Sequence, residues 1–178
     1  MKMTQTLKLI HAAEISDQAA TGVLQLANDA DPSTFEPHYR QISRASEVQI
    51  YESILADPSG AVTTGLLKAV RYAKDNRLLP RGFDKATAGA DIAVHGEAAD
   101  DRDFIGGSDR VRYAVETAGA RGSLTIEAEL LYQPIGFRWA DNLRAYKAAE
   151  TARFVSYYDA MSAATAAPLA RATATISR

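Results

Sequence analysis

The clearest pattern in the chain is the alternation over residues 124–132, which read L-T-I-E-A-E-L-L-Y. Every second residue from Leu124 to Tyr132 is apolar, and the residues between them include Thr125, Glu127 and Glu129. Because successive side chains of a β-strand point to opposite faces, this spacing predicts a strand with one buried and one solvated face. The fold therefore contains at least one half-buried strand.

Two further strands are predicted upstream of this one. Residues 110–115 alternate in the same way, and the connector 117–123 carries two glycines. We therefore expect 110–115 and 124–132 to form an antiparallel hairpin. Residues 48–55 are rich in β-branched and aromatic side chains and predict another strand, which ends at a Pro-Ser-Gly turn.

The period of the apolar residues changes beyond Pro134. Helical spacing joins the side chains Trp139, Leu143, Tyr146, Phe154, Tyr157, Tyr158 and Met161. This spacing predicts helices near 139–163, the longer one over about 150–163. Residues 169–176 predict a last strand or a tail, and residues 65–76 suit a helix or a strand.

These elements predict one β-rich domain over residues 28–178, preceded by a flexible or atypical segment, 1–27. The polar, Ala-rich start of that segment predicts a mobile stretch or a short helix. We expect a mainly β fold, an antiparallel β-sandwich with Greek-key or jelly-roll connections and a C-terminal helical segment. An α+β fold is the alternative, favoured if 65–76 is helical.

Composition excludes several classes of function. The chain has 178 residues, 20 Lys and Arg against 22 Asp and Glu, and no cysteine. Near-neutral charge argues against binding nucleic acid by phosphate neutralisation. Without cysteine there is no disulfide, Cys-ligated zinc, thiolate nucleophile or covalently attached haem. No run of apolar residues is long enough for a membrane span. Lys8 interrupts the apolar segment that a signal peptide needs, so a cytoplasmic location stays open.

An acidic loop is the first candidate site. It offers the oxygen ligands Asn28, Asp29, Asp31 and Glu36, a donor set that suits a hard cation such as calcium. The spacing is not that of an EF-hand. A solvated turn in which the aspartates act as local caps is the alternative.

No catalytic signature is present in the sequence. The histidines His11, His38 and His95 are far apart and form no His-x-x-x-His pair, which disfavours a zinc hydrolase. The G-x-S-x-G elbow, the phosphate-binding loop and the dinucleotide-binding motif are also absent. No catalytic residue is therefore predicted, and whether the chain is an enzyme stays open.

Two other groups of residues have competing interpretations. The stretch 74–85 predicts a long loop pinned by Arg–Asp pairs, with Leu78, Leu79 and Phe83 in the core, or a rim that grips an anion. The aromatic residues beyond 130 predict a helix packed on a sheet, or a carbohydrate platform.

Several blocks resemble a known family. They are V-Q-I-Y-E at 48–52, K-D-N-R-L-L-P-R-G-F-D-K at 74–85, A-V-H-G-E at 93–97, G-G-S-D-R-V-R-Y at 106–113 and L-L-Y-Q-P-I-G-F-R-W at 130–139. Over residues 28–162 the chain resembles the C-terminal, cysteine-free β-rich domain of bacterial multihaem c-type cytochrome-like proteins. The haem-binding motifs of those proteins are absent here.

The resemblance implies an exported or periplasmic setting and a haem-bearing protein or domain as partner. It also implies that His38 or His95 could be a distal axial ligand to a haem held by that partner. We therefore expect a non-catalytic accessory or interaction domain of an electron-transfer protein. A calcium- or carbohydrate-binding module and an unrecognised enzyme are the alternatives, and a homo-oligomer stays open.

Overall fold

The computed structural model describes residues 2–11, 31, 33–44, 47–117, 122–161 and 165–177. Its strands are β1 (Lys2–His11), β2 (Gln41–Ile42), β3 (Gln49–Tyr51), β4 (Ser53–Ala56), β5 (Val62–Thr63), β6 (Arg71–Asp75), β7 (Arg112–Tyr113), β8 (Leu124–Gln133) and β9 (Ala167–Ile176). The α-helices are α1 (Phe137–Asn142) and α2 (Ala149–Met161), and short 3₁₀ turns lie at Glu97–Ala99 and Leu143–Ala145.

The strands form three small sheets. The largest has the order β3-β1-β8-β9 with antiparallel pairing throughout. A second sheet pairs β2 with β7 in parallel, and a third has the antiparallel order β5-β4-β6. The fold is therefore β-rich and of a mixed α+β kind, without a closed barrel or a clear sandwich in the described part of the chain.

The strand predicted at 124–132 is confirmed as β8, but its predicted buried face is wrong, because only Leu124 and Gln133 at its ends are buried and the residues between them are half-buried on both faces. The predicted hairpin with 110–115 is also wrong. Strand β8 pairs with β1 on one side and with β9 on the other, and β7 pairs with β2 instead. Strand β1 aligns with β8 along its whole length, from Lys2 opposite Gln133 to His11 opposite Leu124. Long partners therefore fill both edges of β8 and outweigh the short segment that is near in sequence.

Three other local predictions have mixed outcomes. The strand predicted at 48–55 forms but breaks at Glu52 into β3 and β4, which belong to different sheets. The ambiguous stretch 65–76 contains a turn and then β6, so it is not helical. Residues 2–11 form a strand where a mobile stretch or short helix is predicted, and residues 12–27 lie outside the described part.

The core is small and lies around β3. One cluster joins Tyr51, Ala98 and Phe104, and a second joins Val48 and Ile50. The two predicted helices are confirmed as α1 and α2, and the last strand as β9. Helix α2 contributes no buried residue, and every residue of β9 is exposed.

No helix in the described part of the chain is both long enough and apolar enough to cross a membrane.

Candidate functional site

Three side chains that are distant in sequence converge beside the core. The ligating atoms of His38, Asp101 and Asp109 all lie within 4.8 Å of one another. His38 and Asp101 are buried and Asp109 is half-buried. A histidine with two carboxylates can either bind a metal ion or form an internal hydrogen-bond network. The positions of the hydrogens on the histidine ring distinguish these two arrangements.

The first contact is between His38 and Asp101. His38 is only 3% exposed, and its Nε2 lies 3.1 Å from Oδ2 of Asp101. The backbone N–H of Asp103 donates to the other oxygen of Asp101 at 2.9 Å. Burial acts to raise the pKa of Asp101, but these two hydrogen bonds, together with the charge interactions with His38 and Arg40, outweigh burial and hold the pKa below its usual value.

The other ring nitrogen of His38 faces two side-chain amides. Nε2 of Gln49 lies 2.9 Å from His38 Nδ1, and Nδ2 of Asn76 lies 3.1 Å from it. All three side chains are buried. Strand β3 holds Gln49, and Asn76 follows β6 directly, so two sheets supply these amides.

The orientation of each amide is fixed by the backbone. The N–H of Tyr39 donates to Oε1 of Gln49 at 2.7 Å, and the N–H of Glu52 donates to Oδ1 of Asn76 at 2.9 Å. Because a backbone N–H can only donate, both amide NH₂ groups must face His38. Nδ1 therefore accepts, and Nε2 carries the ring hydrogen that is donated to Asp101.

Asp109 has its own donors. The hydroxyl of Tyr51 donates to Oδ2 of Asp109 at 2.6 Å, and the N–H of Arg110 donates to the other oxygen at 2.7 Å. Burial, then the bond to Asp109, raises the pKa of Tyr51 well above its usual value. Tyr51 therefore remains a neutral donor, and it also stacks on Phe104. We call His38, Gln49, Tyr51, Asn76, Asp101 and Asp109 the His38 cluster.

A buried lysine adjoins this cluster. Lys74 is 2% exposed, and its ammonium group donates to the carbonyls of Glu36 and Ile50 at 2.8 and 2.9 Å. Glu52 lies 3.4 Å away as a counter-ion. The ammonium thus joins the loop at Glu36 to strand β3, which makes its role structural.

The proton positions argue against a metal in the His38 cluster. A histidine that binds a metal through one nitrogen donates the hydrogen of its other nitrogen to an acceptor. Here Nδ1 faces two donors, so a metal at Nε2 would leave the ring without a hydrogen on either nitrogen. The convergent geometry therefore suits an internal network better than a metal centre.

The two predicted haem ligands, His38 and His95, have different surroundings in the structure. Both ring nitrogens of His38 are engaged inside the protein, so axial ligation would require Nε2 to leave Asp101. His95 forms a β-bridge with Asp75, and its ring stacks on Tyr72 at 5.4 Å. The side chain of His11 lies outside the described part of the chain.

The predicted calcium ligands are only partly described. Asn28 and Asp29 lie outside the described residues. Asp31 is exposed and accepts from the N–H and hydroxyl of Ser33, which lowers its pKa, whereas Glu36 is buried and accepts from the Tyr39 hydroxyl at 2.6 Å. Asp31 thus acts as a local cap, and the calcium site stays a prediction.

Sequence reasoning missed most of the His38 cluster. It singled out His38, but not Gln49, Asn76 or Asp101, which join it from other elements. No spacing rule relates these positions. The one available signal was the run of three polar residues K-D-N at 74–76, which lies at the end of β6 and is buried in the structure.

Comparison with known proteins adds no relative. The chain matches no family model, no curated protein and no solved structure.

Proposed function

We propose that this chain is a non-catalytic interaction domain, and that it docks through its C-terminal helical segment. Two buried polar groups that could carry chemistry, those of His38 and Lys74, are used inside the protein. Both nitrogens of His38 and the ammonium group of Lys74 have internal partners. Such groups stabilise the fold, and their hydrogen-bonding positions are taken by partners inside the protein rather than offered to a substrate.

One observation carries the proposal: the helical segment leaves large side chains in solvent. Tyr146, Tyr157 and Met161 are 58%, 65% and 57% exposed, and Trp139 is also exposed. We call these four side chains the helical surface. Aromatic residues and methionine are enriched where proteins meet, and they are expensive to leave in water. The aromatic stripe of α2 is therefore not buried under a sheet: the helix buries no residue, and Tyr157 is in solvent.

The proposed partner is a haem-bearing c-type cytochrome domain. This part rests on the resemblance over 28–162 and on the absence of cysteine, which leaves the haem to the partner. The exported setting and a sandwich arrangement of the sheets belong to the same proposal. His95, which is half-buried and outside the His38 cluster, is the better placed of the two histidines to face a haem.

The test is a titration of the ¹⁵N-labelled chain with a purified tetrahaem c-type cytochrome domain, followed by amide line broadening. Broadening should concentrate in 137–161. The double variant Tyr157→Ser, Met161→Ser should weaken binding at least about tenfold, because exposed tyrosines are frequent interface anchors. Leu67→Ser is the matched control, since Leu67 is a fully exposed apolar residue on another loop.

Two results would contradict the proposal. One is a wild-type titration without broadening. The other is equal weakening by Leu67→Ser, which would mean that the helical surface is not the contact.

A further inference from the structure

The outer edge of strand β9 presents unpaired backbone. β9 pairs with β8 on one side, and no described strand pairs with its other side. It is ten residues long and exposed throughout. The N–H and C=O groups that point away from β8 thus form a ready template for another strand.

The usual devices that protect an edge are missing from most of β9. Pro168 lies at its start, and the only charged residue in the strand is Arg171. Arg171 is already paired within the chain, with its Nε 2.7 Å from Oε1 of Glu129. The register shift lies between Leu130 and Leu131 and leaves the strand regular from Ala170 onward. The edge is therefore open to pairing.

We propose that β9 pairs antiparallel with β9 of a second copy of this chain, about a two-fold axis at Ala172. This register places Ala170 opposite Ala174 of the second copy and Arg171 opposite its Thr173. A register centred on Arg171 would instead oppose two guanidinium groups, which is unfavourable. Charge thus excludes the register centred on Arg171, whereas the proposed register keeps the two Arg171 side chains apart. The two-fold axis makes the contact self-complementary and closed.

The contact joins two four-stranded sheets into one. In each copy, Ala172 and Ala174 are opposite Ala128 and Ile126 of β8, whereas Arg171 and Thr173 are opposite Glu129 and Glu127. The apolar and the charged face of the sheet therefore each continue across the axis. This contact uses none of the residues of the helical surface, so it is independent of the proposed function.

A charge pair tests the contact. Ala172→Lys and Ala172→Glu each place like charges at the axis and should raise the dimer dissociation constant roughly tenfold or more, measured by light scattering across a dilution series. An equimolar mixture should restore the dimer, which also shows that both variants are folded. Ala90→Lys, at an exposed turn, should dimerise like the wild type. A monomeric wild type, or Ala172→Lys that dimerises normally, would overturn the proposal.

The absence of cysteine allows a direct test of the register. Ala172→Cys would introduce the only thiol in the chain. Residues opposite each other in antiparallel strands have Cα atoms about 4.5–5.5 Å apart, within reach of a disulfide. Mild oxidation should therefore link Ala172→Cys into a dimer, while Ala90→Cys stays monomeric. Equal linking of the two variants would overturn the register.

Discussion

The state of the His38 ring follows from contacts made by other residues. Tyr39 fixes the amide of Gln49, Glu52 fixes that of Asn76, and the two amides leave Nδ1 only the role of acceptor. A histidine held in this way supports packing and cannot shuttle a proton without breaking its hydrogen bonds to Gln49, Asn76 or Asp101. This property could not be read from the sequence, because the residues that impose it follow no local spacing.

Lys74 provides a stability test at the residue scale. Lys74→Met removes the ammonium group that serves two backbone carbonyls and Glu52, and we expect it to lower the free energy of unfolding by about 2–4 kcal/mol. Urea denaturation would measure the loss. Lys68→Met, at an exposed position, should change it by less than about 0.5 kcal/mol. Equal effects would mean that the buried contacts of Lys74 contribute little.

At the scale of elements, the sequence predicted what is local. The loop at 74–85 is pinned as expected by the pair Arg77–Asp75, with Nε–Oδ1 and Nη2–Oδ2 distances of 2.8 and 2.6 Å, because its partners are two residues apart. Leu78 and Leu79 pack on the core as predicted, whereas Phe83 is half-buried and is not among the described residues that pack on that cluster. Strand β8 and the helices were predictable from apolar periods for the same reason.

Strand pairing was not predictable, because it depends on residues far apart in the chain. The turn-like connector before β8 suggested a hairpin, whereas β1 and β9 are the partners. β3 and β4 read as one strand, yet Glu52 lies where the chain passes from one sheet to another. Alternation identifies a strand and the residues that share a face, but it gives neither the neighbours of the strand nor how far each face is buried.

Gly106 provides a test of how closely the loops pack. A Cβ at Gly106 would lie 2.5 Å from the carbonyl oxygen of Phe83 and 2.9 Å from its nitrogen, so backbone would have to move. We expect Gly106→Ala to lower the free energy of unfolding by about 2–3 kcal/mol, measured by thermal or urea unfolding.

Gly82→Ala is the matched control for Gly106→Ala. Gly82 has a φ of +88°, but a Cβ at this position would have no atom within 4 Å. Gly82→Ala should therefore lower the free energy of unfolding only through its strained backbone conformation, by roughly 1–2 kcal/mol. A smaller loss for Gly106→Ala than for Gly82→Ala would contradict the close packing at Phe83.

On the scale of the whole molecule, the chain divides its residues between two tasks. Its interior holds a fully partnered polar cluster beside a small apolar core. Its last elements, α2 and β9, bury no residue and leave a helical surface and a strand edge open. This division supports the proposed interaction domain, in which the interior stabilises the fold and the last elements would make the contacts.

Acid unfolding should report on the His38 cluster. Because the pKa of Asp101 is lowered in the folded protein, its ionised form stabilises the fold above the unfolded-state value of about 3.9, and this stabilisation is lost as pH falls through the folded pKa. Asp101→Asn should therefore be less stable at pH 7 and should lose less stability on acidification below about pH 5. Asp91→Asn, at an exposed turn, should follow the wild-type profile. Parallel profiles for wild type and Asp101→Asn would contradict the assignment.

The most direct test of the account is long-range ¹H–¹⁵N correlation NMR of the His38 ring, recorded with and without added Zn²⁺. We expect an unprotonated Nδ1 and a protonated Nε2 in both conditions, because two amides donate to Nδ1 and Asp101 accepts from Nε2. Loss of the Nε2 hydrogen on addition of Zn²⁺, or a protonated Nδ1, would contradict the account and make His38, Asp101 and Asp109 a metal centre.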